Sequence, residues 1–146
     1  MVDPDLVATK LSELSERVER VRSHRAPDAA ALAADRDALD IVSFNLMLAV
    51  QTCADVASHV ASDEGWPVAR TLAEGFARLE EHGVLAAPTA AALKRAVGLR
   101  NVVAHGYARV DPELVHRASH EGLEDLSSFA REVSAWVRRR GDAEEE

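Results

Sequence analysis

The stretch "LDIVSFNLMLAVQTCADVASHV", Leu39 to Val60, places Leu39, Val42, Leu46, Val50, Cys53, Val56 and Val60 at spacings of three and four. That is the period of a helix with one apolar face, not the period of two of a half-buried strand. The pattern predicts a long helix from Pro27-Asp28 to about Ser62, ended by "DEGWP", where Gly65 and Pro67 both punctuate. Trp66 beside Pro67 is expected to pack that loop onto the rest.

Working outward, the same grammar recurs. Toward the N-terminus, Asp3 reads as an N-cap with Pro4 at the first helical position. Val7, Leu11, Leu14, Val18 and Val21 then form a stripe at alternating spacings of four and three. Toward the C-terminus, Thr71 and Glu74 make a capping box, Leu72, Phe76 and Leu79 face inward, and Gly83 closes that helix. Pro88 and Thr89 open a fourth helix with Leu93, Val97 and Val103 inward and Gly106 as terminator. Asp111-Pro112 opens the last, which runs to Arg140 with Leu114, Leu123, Leu126, Phe129, Val133 and Trp136 as its apolar positions and Gly141 as its stop. No segment alternates with period two. The expected fold is therefore all-α, an antiparallel bundle of four to five helices. One domain over residues 1–146 is expected, with a fraying acidic tail at 141–146.

Composition narrows the function. A net charge of −8 disfavours nonspecific binding to nucleic acid, whose affinity for protein comes mainly from Lys and Arg on phosphates. Aromatics at 4% disfavour a base-stacking platform. Any RNA chemistry must use a local cluster of arginines. Cys53 is the only cysteine, so neither an internal disulfide nor a Cys-based zinc site is available, and a buried thiol is expected. The N-terminus lacks a basic start followed by an apolar core, and runs such as "LMLAV" fall short of a membrane span, so a cytoplasmic protein is expected.

One segment carries chemistry: "LRNVVAHGYARVDPE", Leu99 to Glu113, which crowds Arg100, Asn101, His105 and Tyr107 at a helix end. Cleavage of RNA by its own 2′-OH needs a base, an acid and a stabiliser of phosphoryl charge. Imidazole serves either proton-transfer role, and guanidinium suits the charge. On a regular helix Arg100 and His105 lie about 140° apart, so one chain alone does not bring them to one face. Two copies meeting about a two-fold axis would place two of each in one cleft.

"RNVVAHGY" resembles the signature of the HEPN superfamily, and Arg, four residues, His, one residue, Tyr is similar to the motif of HepT toxins, the partners of the nucleotidyltransferase antitoxin MntA. "LDIVSFNLMLAVQTCADVASHV", "LAEGFARLEEHGVL" and "RNVVAHGYARVDPELV" also follow one another as that family's blocks do, from roughly Asp37 to Val137. The resemblance implies a helical homodimer acting as a metal-independent ribonuclease toxin, with no cofactor. It implies Arg100 and His105 as the catalytic pair, Asn101 as the residue that helps orient them, and Tyr107 as the site to which the antitoxin transfers AMP. The implied partners are RNA, an MntA-like nucleotidyltransferase and a second copy, with neither membrane nor DNA.

Other readings compete. A noncatalytic HEPN module could dock a nucleotidyltransferase or bind a nucleotide through the same cleft. His105 could cap a helix C-terminus, Arg100 could pair with a carboxylate of the first helix, and Tyr107 could anchor its loop through the hydroxyl. His116 and His120, spaced for a metal but lacking a convincing third ligand, read as a solvated helix face. Arg138 to Arg140 read as ordinary cations of a last turn.

Overall fold

The computed structural model describes residues 2–146. Six helices follow one another: α1 Pro4–His24, α2 Ala29–Ala34, α3 Arg36–Asp63, α4 Leu72–Glu81, α5 Ala87–His105 and α6 Pro112–Glu145. A 3-10 turn, Tyr107–Arg109, joins the last two, and no strand occurs among the described residues.

Several starts follow from local hydrogen bonds that the sequence announces. Asp3 accepts from the N–H groups of Asp5 and Leu6, Thr71 from Glu74, and Asp111 from Glu113. The long second helix, by contrast, is broken. Asp28 caps α2 through the Ala31 N–H, and Asp35 then leaves the helix in an extended conformation and caps α3 through Ala38. A side-chain acceptor for an orphan N–H competed with continuing the helix, and it prevailed. The α5 start also differs from expectation. Its N-cap is Ala86, which has no side chain to offer, and the cap comes from α6. The Glu132 carboxylate accepts from the Ala86 N–H at 2.6 Å and from the Thr89 hydroxyl at 2.5 Å.

α3 is the centre, packed by α1, α2, α4, α5 and α6. Contacts between Lys10 and Asp55 and between Arg17 and Asn45 show α1 antiparallel to α3. α3 is the one described helix long and apolar enough to cross a membrane, yet most of it is buried inside the bundle. Its Val42, Ala49, Cys53 and Val60 are fully buried beside Val21, Phe76, Leu93 and Phe129 from other helices. Burying each such large side chain contributes about 1.5–3 kcal/mol. Phe76 and Phe129 meet edge to face with ring centroids 6.1 Å apart. Burial pushes the Cys53 thiol far up, so it stays protonated. Trp66 stacks on His82 at 3.9 Å and meets Trp136 edge-on, which holds its loop to the bundle.

Three readings need correction. Gly141 does not stop the last helix, because α6 continues to Glu145. Arg138 to Arg140 therefore lie inside it rather than in its last turn, and Arg140 pairs with Glu64 across the bundle. Leu114 and Val103 are not core. Leu114 is exposed, Val103 is half-buried, and no residue of α5 beyond Leu93 is fully buried.

Candidate functional site

α3 and α5 run antiparallel, and their outward faces form the ground on which the motif sits. Residues 40, 44, 47, 48, 51 and 55 of α3 share one side of a 3.6-residue helix. Asp40 and Gln51 are thus about 16 Å apart along the axis, at 1.5 Å per residue. The motif bridges that span. Arg100 reaches α3 at Gln51, and Tyr107 reaches it at Asp40.

The Arg100 guanidinium is positioned by amides, not by acids. One terminal nitrogen donates to Gln51 Oε1 at 2.9 Å and the other to Asn101 Oδ1 at 3.0 Å. Gln51 is itself held, donating to Asp55 Oδ1 at 3.2 Å. Arg100 makes no ion pair among the described residues, and its Nε–H is buried with no acceptor. A pairing with a carboxylate of the first helix does not occur. An oriented guanidinium with spare donors and no counter-charge is a ready receptor for a phosphate or another oxyanion.

His105 is the last residue of α5, exposed, with no hydrogen bond of its own side chain among the described residues. The helix stays regular through it, and Gly106 then donates its N–H to Val102 at 2.8 Å. The separation of about 140° between Arg100 and His105 therefore stands. Arg100 leans onto α3, whereas His105 faces solvent. One chain does not gather them.

Tyr107 follows on the 3-10 turn, half-buried, its hydroxyl donating to Asp40 Oδ1. Arg36 donates to the same oxygen at 3.1 Å and lies 5.5 Å from the centre of the phenol ring. Burial pushes the phenol above the usual tyrosine range, and the hydrogen bond and negative charge of Asp40 push it further. Ser43 and Arg36 act the other way. The anchoring of the loop by this hydroxyl is thus a feature of the fold.

Sequence reading missed Gln51, Asp40 and Arg36. Each is a polar residue on an outward helix face, and only the approach of α5 and the turn gives it a role. His116 and His120 also differ from the solvated face expected of them. Their rings lie 4.5 Å apart and meet the carbonyls of Pro27 and Ala26 at 3.3 and 3.0 Å, which fastens the α1–α2 turn to α6. No third ligand joins them among the described residues.

Around the motif, apolar surface is left uncovered: Phe44 on α3 is 52% exposed and Val102 on α5 is 39% exposed. A helix pair that has buried its other faces but leaves an aromatic and a valine beside a charged motif offers ground for a second surface.

Comparison with known proteins bears on the same residues. A family model described as "Ribonuclease HepT-like" matches residues 14–133, which include the whole motif. The mRNA nuclease HepT of Shewanella oneidensis is 24% identical over 131 residues, covering 90% of this chain and 98% of that one. Among solved structures, the tri-AMPylated HEPN toxin of Shewanella oneidensis in complex with MNT antitoxin aligns at 24% identity. Its TM-score is 0.82, with 92% of this chain and 99% of that chain covered. A cytosolic protein of unknown function, YutE from Bacillus subtilis, has the same fold at 12% identity, with a TM-score of 0.82 and 95% and 93% of the two chains covered.

Proposed function

The chain belongs to the HepT-like ribonuclease family, and from that premise we propose that it is an endoribonuclease toxin of a toxin–antitoxin pair, cutting RNA with Arg100 and His105 and silenced by AMP transfer onto Tyr107. The observation that carries the reading is that neither reactive group meets a counter-charge among the described residues. Arg100 is oriented but unpaired, and His105 is exposed with no partner among the described residues. An arginine serving only the fold would be expected to pair with a carboxylate, and a capping histidine to hydrogen-bond a carbonyl of its own last turn.

In the proposed reaction the RNA 2′-oxygen attacks the adjacent phosphorus and the 5′-oxygen of the next nucleotide leaves. His105 takes the proton from the 2′-OH or delivers one to the leaving oxygen, and Arg100 holds the charge that builds on the phosphoryl oxygens. Asn101 keeps the guanidinium in place. No step calls on a metal or another cofactor, and because the nucleophile is a 2′-OH, the substrate is RNA and not DNA.

The two proton transfers call for two groups, and one chain brings a single His105 that does not share a face with its own Arg100. A two-fold homodimer supplies two of each. The uncovered Phe44 and Val102, and an α5 whose second half buries nothing completely, support an isologous contact along α3 and α5. The partner is an MntA-like nucleotidyltransferase, in keeping with an AMPylated relative of the same fold bound to such an antitoxin. AMP on Tyr107 adds bulk and negative charge at the end of the cleft where substrate phosphate must lie.

The test pairs intact mass with RNA cleavage, for the chain alone and after incubation with the nucleotidyltransferase and ATP. His105→Ala and Arg100→Ala should abolish cleavage while keeping the wild-type melting temperature. AMP addition should be lost in Tyr107→Phe and should silence the wild type. A folded, unmodified dimer that cleaves neither tRNA nor mRNA would overturn the enzymatic reading, leaving a HEPN module that only docks the transferase.

A further inference from the structure

The contact that holds Tyr107 is not used in the cleavage proposed above. Its Oη donates to Asp40 Oδ1, a residue 67 positions earlier on a different helix. Arg36 Nε donates to that same oxygen, and the Arg36 guanidinium lies beside the phenol ring. Asp40 and Arg36 are exposed and Tyr107 is half-buried, so a partner's active site can reach all three. A phenol is a weak nucleophile near neutral pH, and this one is held in its neutral form more firmly than most. Transfer of a nucleotidyl group to it therefore needs a group that takes the proton as the new bond forms. A carboxylate already accepts that hydrogen.

We propose that Asp40 is the general base for nucleotidyl transfer onto Tyr107, and that Arg36 is the cation that receives the charge of the product; this rests on the reading of Tyr107 as the modified residue. The Tyr107 oxygen attacks the α-phosphorus of ATP held by the transferase. An oxygen–phosphorus bond forms, the bond from the α-phosphorus to the bridging oxygen breaks, and pyrophosphate leaves with that electron pair. The phenolic proton passes to Asp40 Oδ1. Neutral Asp40 no longer competes for Arg36, whose guanidinium is free to pair with the new phosphodiester anion. The modified tyrosine has no hydrogen left to donate, so the same step undoes the bond that ties the 3-10 turn to α3.

The surroundings suit an incoming phosphate. A groove of about 370 Å³ opens beside Asp40, and Arg17 and Arg20 of α1 line it together with Ile41, Phe44 and Asn45. Those two arginines border the groove, while Arg36 and Tyr107 contact Asp40 directly.

The experiment follows AMP addition by intact mass over time, using the full chain, its nucleotidyltransferase, ATP and Mg²⁺ across a range of pH. In Asp40→Asn the initial rate should fall about 100-fold or more, the range typical of a lost general base. Its rate should then climb with pH toward the titration of the phenol, more steeply than the wild-type rate does. Asp40→Glu, which keeps a carboxylate, should recover at least tenfold over Asp40→Asn. Asp40→Asn modified at the wild-type rate, or slowed but with the wild-type pH profile, would overturn the role of Asp40. AMP on Tyr107→Phe would instead overturn the reading of Tyr107, whatever Asp40 does. Matching melting temperatures separate both results from misfolding.

Discussion

Glu132 offers a sharp test of how α5 is held, because one carboxylate from α6 replaces the cap that Ala86 cannot provide. Its two oxygens accept from the Ala86 N–H at 2.6 Å and from the hydroxyl of the buried Thr89 at 2.5 Å. Hydrogen bonds to a charged group contribute about 1.5–3 kcal/mol each, and truncating the acceptor strands both donors. Relief is partial. Ala86 is exposed, so water can take its N–H, and a threonine hydroxyl in a helix can turn to a carbonyl of the preceding turn. Glu132→Ala should therefore cost about 2 kcal/mol. With an unfolding entropy of about 2.1 cal/mol/K per residue, this chain loses about 0.3 kcal/mol per kelvin near its midpoint, so the Tm should drop by about 6–7 °C. Glu132→Gln keeps one acceptor oxygen and should lose about half as much. A double-mutant cycle with Thr89→Val should return a coupling near 1 kcal/mol, since the two side chains touch. Calorimetry or thermal circular dichroism reads all of these. A Glu132→Ala midpoint within about 1 °C of wild type would refute the argument that α6 caps α5.

Other outcomes follow from the same geometry. Gln51→Ala should cut RNA cleavage by about tenfold or more at an unchanged Tm, because Arg100 would lose the acceptor that aims it, and kinetics beside a melt would show it. Burial first, then Glu121 and Glu124, push the Asp125 carboxyl up against the opposing pull of Arg95. Asp125 thus takes up its proton more readily in the fold than in the unfolded chain, and the stability it contributes is present in acid and lost as pH rises through its folded value. Asp125→Asn should accordingly raise the Tm at neutral pH, with the advantage vanishing toward pH 4, as melts across pH would reveal. Tyr107, the only tyrosine, should titrate above its ordinary value near 10 in an ultraviolet titration. The stability held by the neutral phenol is full below that ordinary value and lost as pH rises through the raised one. Asp40→Asn should lower the midpoint without restoring it fully, since burial remains the largest cause.

What the sequence by itself determined is whatever is written in short-range pattern. The apolar spacing of three and four along Val7 to Val21 and Leu39 to Val60 specified helices and their inner faces. Asp3, Thr71 and Asp111 marked helix starts because each caps through a bond to an N–H two or three residues on. The motif from Arg100 to Tyr107 was likewise visible as residue types and spacing, and with it the chemistry those groups can perform. Asp35 was legible in principle as a cap, since the apolar stripe begins only at Leu39, but an alanine-rich run leads straight up to it and composition does not report a local competition for one N–H. Gly141 misled for a related reason: nothing after it supplies a stop, and a glycine within a helix costs only about 1 kcal/mol. Tertiary structure alone decided the long-range pairings. Glu132 lies 43 residues from Thr89, Gln51 lies 49 from Arg100, and Asp40 lies 67 from Tyr107. On its own helix each is a polar residue facing out, identical in pattern to any solvated neighbour. Its partner is set by which helix packs against which and in what register, and that is a property of the whole core.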